Sequence, residues 1–447
     1  MKLENNTFPD LEIEEKIQEL LLNRLNNLTW SYFTIDLNKA YKNFEYCKDE
    51  SHIIRFFESI DRTHLGKYNY LGDFAEKEIL QILFTIIKSN PSILKDVLLR
   101  LFDINEIKNQ SDSDDGKLGK FNRKDRVYRN KIYKAKIADG HRSKKDNVVI
   151  LAEGDSWFQF PRVYFKIDPV KDIIDWLIDD PKYAVYSLAA GGDWLSNIFY
   201  SGEYIEELPK VSPDVFLISG GGNDLVGNNR LASMVINPML KNKRSLTSEP
   251  LLKQLITLRN KDKDIDIKKY KKGLRFISNE FFTFLNLYFV QYFVFLFSLS
   301  RVDKYKKMLI LTQGYDFALP NDKSRGNWLS IQRIMNDFTD TGHWLYQPLN
   351  MKGITKKADQ EAIVYTMIYE FNEMMIQLAT FKGLPNLFHI DCRGYAQESD
   401  WFDELHLKSD GFKDITKVYK NCITQNLRLN NKPKNKVYKV KDLLKRM

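Results

Sequence analysis

The chain has 447 residues, 43% hydrophobic and 28% charged, an ordinary balance for a soluble globular protein with room for a sizeable core and more than one domain. Cys47, Cys392 and Cys422 are its three cysteines, too few and too scattered for a disulfide framework or a cysteine-based metal site. The net charge of +9 favours acidic partners such as nucleic acid or an anionic membrane surface, but charge governs association and not fold.

The opening MKLENNTFPDLEIEEK lacks a basic segment followed by an apolar one, so no secretory signal is expected and a cytoplasmic setting is. Ile13, Ile17, Leu20, Leu21 and Leu25 recur at helical spacing. Residues 74–87 and 93–102 predict two more helices, so residues 1–106 are expected to form a small all-helical domain whose role the sequence does not state. Residues 107–147 turn polar and basic, which predicts a charged linker or exposed basic arm. The alternative for that arm is phosphate binding through Lys124, Arg126, Arg129, Lys131 and Lys134, with stacking on Tyr128 and Tyr133.

From Val148 the pattern changes. The runs 148–153 (VVILAE), 184–190, 215–220, 308–313 and 386–391 each predict a short buried strand, and helical patterning lies between them. Such alternation predicts a parallel, doubly wound α/β sheet over about 148–430, with a basic tail at 431–447. Two connections exceed what a crossover needs, at about 227–275 and 318–357, and long insertions in such folds often cover an active site. The uncharged stretch 281–300 is long enough to span a membrane. It is read instead as a buried crossover helix, because the residues proposed for chemistry lie on both sides of it and must meet. Membrane contact and a dimer interface are the alternatives.

Four blocks fall at predicted strand ends: Gly154-Asp155-Ser156, Gly191-Gly192-Asp193, Gly221-Gly222-Asn223-Asp224 and Asp403-Glu404-Leu405-His406. In open α/β sheets the carboxyl ends of the strands are where ligands bind. A serine hydroxyl becomes a good nucleophile only when a base takes its proton and a third group fixes that base. Ser156, His406 and Asp403 supply these types, and the spacing of Asp403 and His406 lets one turn present both. The backbone N–H groups of Ser156 and Gly192 and the amide of Asn223 are the candidate oxyanion donors. No metal or other cofactor is expected, since no His, Cys or carboxylate cluster has ligand spacing. His141, His343 and His389 are read as structural, and Asp391 with Arg393 as a supporting pair.

In this order GDSWFQFP, AAGGDW, GGGND and WFDELHLKSDGF resemble the four blocks of the SGNH (GDSL-type) serine hydrolase family, over about residues 147–412. The resemblance implies a flavodoxin-like three-layer α/β/α fold with a five-stranded parallel sheet. It also implies an esterase in which Ser156, Gly192, Asn223 and His406 take the name-giving roles and Asp403 completes the triad. Trp157, where many members carry leucine, and the two insertions leave the substrate open among esters of small molecules, glycans and lipids. A lipase acting at an anionic membrane surface is the alternative. A second alternative is an inactive hydrolase domain serving as a nucleic-acid or protein-binding module. The complete Ser156, Asp403 and His406 set argues against that reading, and nucleic acid is disfavoured as a partner.

Overall fold

The structure is a computed structural model and describes residues 116–160, 170–236, 249–321, 344–381, 383–427 and 435–444. The helices expected within residues 1–106 lie outside the described residues.

Short runs rich in Val, Ile, Leu and Phe pair side by side as β1 (Val148–Gly154), β2 (Tyr183–Ser187), β3 (Val215–Ser219), β4 (Leu309–Gln313) and β5 (Leu387–Asp391). A sixth strand, β6 (Val437–Lys439), pairs with β5, and all neighbours in the order β2-β1-β3-β4-β5-β6 are parallel. Every residue of β1, β3, β4 and β5 is buried, as in parallel sheets covered on both faces. The expected count of five strands is therefore corrected to six among the described residues. The added strand is three residues long at the sheet edge, inside the stretch read as a basic tail, and has no apolar run to announce it.

Among the helices, α1 (Gly116–Ala138) precedes the sheet, α2 (Ile173–Ile178) joins β1 to β2, and α3 (Leu195–Ser201) and α4 (Glu203–Val211) join β2 to β3. Between β3 and β4 lie α5 (Gly222–Val226), α6 (Glu249–Arg259), α7 (Ile267–Leu274) and α8 (Asn279–Arg301). Next come α9 (Tyr346–Met351) and α10 (Lys357–Thr380), then α11 (Ser409–Asn426) after β5 and α12 (Val440–Leu443) after β6. The chain steps from β1 outward to β2 and then back across β1 to β3. Right-handed crossovers therefore put α2 on one face and the helices joining β2 to β3, β3 to β4 and β4 to β5 on the other, where α8 meets α10. α11, between β5 and β6, packs instead against α2.

Phe295 of α8 packs edge-on against Tyr204 of α4 and Phe216 of β3, at 4.9 and 6.0 Å between ring centres. Phe281, Leu285, Tyr288, Gln291, Tyr292 and Leu296 are buried as well. Among the described residues no helix is long and apolar enough to cross a membrane.

The largest departure from expectation is α1. Where the sequence predicts a linker over 107–147, Gly116–Ala138 form a helix packed on β2. Its buried face carries Asn122, Asp125, Arg129 and Tyr133, at helical spacing but three of them polar. A search for apolar periodicity cannot register such a face. Arg129 donates to Asp172 at 2.5 Å, Asp175 at 3.0 Å and the Phe158 carbonyl at 2.6 Å, all buried. Asp172 and Asp175 also form the capping box of α2, so one arginine ties α1, the loop after β1 and α2 together.

Candidate active site

The switch point of this strand order lies between β1 and β3, where successive crossovers leave for opposite faces and a cleft opens at the strand ends. β1 reaches it through Gly154. A Cβ there would sit 2.6 Å from the Ser219 carbonyl oxygen and 2.9 Å from Ser219 Cβ, so only glycine lets β1 run this close to the end of β3.

Asp155 follows with its carboxylate turned into the core. Oδ1 accepts from Ser219 Oγ at 2.9 Å and from the Trp157 N–H at 3.1 Å, and Oδ2 accepts from the Tyr315 hydroxyl. Burial pushes this carboxyl above its ordinary pKa, and the three donors work against that shift. The Asp155 carbonyl accepts from the Phe158 and Gln159 N–H groups at 3.0 and 2.9 Å, which closes the turn carrying Ser156.

On the far side, residues 401–407 fold back through the Trp401–Leu407 bridge and a 2.8 Å bond from the Phe402 N–H to the His406 carbonyl. Within this loop Asp403 Oδ1 accepts from the Leu405 and His406 N–H groups, each at 2.8 Å. Both Asp403 oxygens lie 2.9 Å from His406 Nδ1, and His406 Nε2 lies 2.7 Å from Ser156 Oγ. A carboxylate against Nδ1 demands a proton there, which leaves the Nε2 lone pair for the serine hydroxyl. The Trp157 indole N–H donates to the Leu405 carbonyl at 3.1 Å and so pins the serine turn to the histidine loop. Phe160 holds the other side of the imidazole, edge-on at 4.9 Å.

Gly192 and Asn223 arrive from β2 and β3. Gly192 has φ 83°, in the left-handed region that favours glycine. Asn223 Nδ2 donates to the Asp193 carbonyl at 2.9 Å, so the two blocks are joined next to Gly192. The loop before them is gripped by α1: Asn122 donates to the Gly191 carbonyl at 2.9 Å and accepts from the Gly191 N–H at 3.1 Å. The five residues singled out from sequence thus fall into two connected groups. Ser156, His406 and Asp403 form a hydrogen-bonded chain, and Asn223 is tied to the residue after Gly192. A cleft of about 550 Å³, measured with its open mouth, is lined by Ser156 and Asn223 among others.

Tyr315, Asn122 and Glu404 carry structural work that the sequence analysis did not assign. The Tyr315 hydroxyl donates to Asp155 and accepts from the Gly222 N–H at 3.1 Å, bridging the serine and asparagine turns. Its place just past the end of β4 was the available signal. One alternative is corrected. Arg129 and Tyr133 are buried and Arg126 pairs with Glu203 at 2.8 Å, so the phosphate-binding arm loses those three members. His389 is buried in β5, 3.0 Å from Thr312 Oγ1, and burial pushes its pKa down to about 4. His141 is buried, 3.2 Å from the Val148 carbonyl, and His343 lies outside the described residues. Asp391 and Arg393 pair in bidentate fashion at 2.9 and 2.8 Å and extend to Glu373. Among the described residues no group of three or more His, Cys, Asp or Glu side chains could hold a metal ion.

Glu404 is buried beside Asp403 in the histidine loop. It accepts from the N–H groups of Asn321, Leu345 and Tyr346 at 2.8, 2.9 and 3.0 Å, binding both flanks of the segment 322–343 to the histidine loop. Burial pushes its pKa up to about 7, against the pull of those donors. Below the unfolded value of 4.5 both states hold the proton. Between there and about 7 only the folded state does, so this group's contribution to stability falls as pH rises through that window. Glu404→Gln is expected to shrink the fall in unfolding free energy between roughly pH 5 and pH 8 by about 2 kcal/mol. Urea denaturation of both proteins at the two pH values checks this, and parallel pH dependence would refute it.

No protein-family model matches the chain, and no curated protein matches it. Among solved structures, a candidate GDSL-like lipase from Parabacteroides merdae ATCC 43184 is similar at 11% identity and a TM-score of 0.27, over 63% of this chain and 97% of that one. A likeness this slight bears on neither fold nor chemistry.

Proposed function

We propose that the chain is a serine hydrolase of the SGNH (GDSL-type) kind that cleaves carboxylic esters through an acyl-enzyme. The observation that carries the reading is the 2.7 Å contact of Ser156 Oγ with His406 Nε2, in a ring whose Nδ1 faces Asp403 at 2.9 Å. In this mechanism Ser156 gives its proton to Nε2 as Oγ attacks the ester carbonyl carbon, and Asp403 stabilises the imidazolium that forms. The oxyanion is met by the N–H groups of Ser156 and Gly192 and the amide of Asn223, one of whose hydrogens is engaged by Asp193. His406 then passes its proton to the leaving alcohol oxygen as the acyl carbon–oxygen bond breaks. Water, activated by the same imidazole, releases the acid and restores the serine.

The four blocks in family order support the same reading. The binding-module alternative loses Arg126 and Arg129 of α1, which are committed to Glu203 and to Asp172 and Asp175. The test is labelling by a fluorophosphonate together with turnover of p-nitrophenyl esters. Wild type is expected to be labelled at Ser156 and to turn over, and Ser156→Ala to lose both by about 10⁴-fold or more. Absence of labelling and of turnover across the ester series would end the proposal.

A further inference from the structure

The structure assigns the acyl half of the substrate to the cleft beside Ser156: we infer that the enzyme prefers an aliphatic acyl chain of several carbons over acetyl. This rests on the hydrolase reading above. Leu225, Val226 and Leu231, from α5 and the turn after it, give the cleft one apolar wall, and Val364, Met367 and Ile368 on α10 give it another.

The polar groups of the lining are occupied elsewhere. Asp155 is bonded to Tyr315, Ser219 and Trp157. Asp316 accepts from the N–H groups of Phe317, Gly394, Tyr395 and Ala396 at 2.6 to 3.1 Å. No described lining residue is cationic, so an acyl group ending in a carboxylate finds no counter-ion and meets two buried acids.

The orientation follows from proton transfer. The leaving oxygen must reach His406 Nε2, and His406 is not among the residues lining the cleft, whereas Ser156 and Asn223 are. The alcohol therefore departs on the histidine side and the acyl chain lies between the two apolar walls.

Each methylene moved from water into such walls adds several-fold to kcat/KM. With p-nitrophenyl esters from acetyl to dodecanoyl, wild type is expected to favour octanoyl over acetyl by about 100-fold in kcat/KM. Ile368→Trp, which fills the cleft from α10, is expected to lower that ratio at least tenfold, and Leu231→Ala to move the optimum to a longer chain. Ser156 labelling by a fluorophosphonate is measured in each protein, which separates a misfolded variant from a re-shaped one. Active, labelled wild type with a ratio near or below unity, or variants that leave the ratio unchanged, overturns the acyl assignment and leaves the hydrolase reading standing. Absence of both labelling and turnover in wild type overturns the two together.

Discussion

Asp403→Asn is expected to lower kcat by about 10³- to 10⁴-fold while the protein stays folded. The side chain has two tasks that this substitution separates. Asp403 Oδ1 accepts from the Leu405 and His406 N–H groups at 2.8 Å, and an asparagine oxygen can do the same, so the loop keeps its shape. The amide nitrogen then faces His406 Nδ1, where the carboxylate now stands at 2.9 Å. Two donors cannot share that contact, so the ring carries its proton on Nε2 and presents an N–H to Ser156 Oγ. A ring in that tautomer cannot take the serine proton. The check is kcat beside urea denaturation. A loss under tenfold with unchanged stability would show that Asp403 does not act through the imidazole.

Asp155→Ala is expected to cost about 3–5 kcal/mol of stability and at least about 100-fold in kcat, although Asp155 takes no part in bond making. Its removal strands three buried donors at once: the Tyr315 hydroxyl, Ser219 Oγ and the Trp157 N–H. Each unsatisfied donor in the core costs about 1–3 kcal/mol, and alanine offers no acceptor to replace the carboxylate. The rate falls because the same hydroxyl that anchors Asp155 also accepts from the Gly222 N–H at 3.1 Å, so the serine and asparagine turns lose their common support. Removing that hydroxyl alone, by Tyr315→Phe, takes away one of the three bonds and serves as the partner in a double-mutant cycle. The two substitutions should be clearly non-additive. Additive losses would mean that the Tyr315 to Asp155 bond does not couple the turns.

Much of this molecule can be read from its residues in order. The apolar runs around Ile150, Phe216 and Ile310 announce buried parallel strands, because a strand covered on both faces needs no polar alternation. Since strand ends in an open α/β sheet point to one edge, blocks as far apart in sequence as Ser156 and His406 could be expected to meet. The distance of 2.7 Å between them is the tertiary outcome of that topology. Other features have no local signature. α1 buries Asn122 and Arg129, side chains whose burial becomes tolerable only when partners from remote segments satisfy them. β6 exists because β5 offers an open edge, and Val437–Lys439 would not form a strand alone.

What the sequence by itself determined is the set of chemical groups and the strand ends that carry them, since these depend on residue type and on periods of two and 3.6 that local sterics impose. What only the tertiary structure decided is how those groups are held: Asp155 by Tyr315, the glycine loop by Asn122, and the flanks of 322–343 by Glu404. Each of these is a bond between a buried polar group and a partner tens to hundreds of positions away. Such bonds are selected by the cost of leaving a polar group unpaired in the core, and that cost exists only once the core has closed.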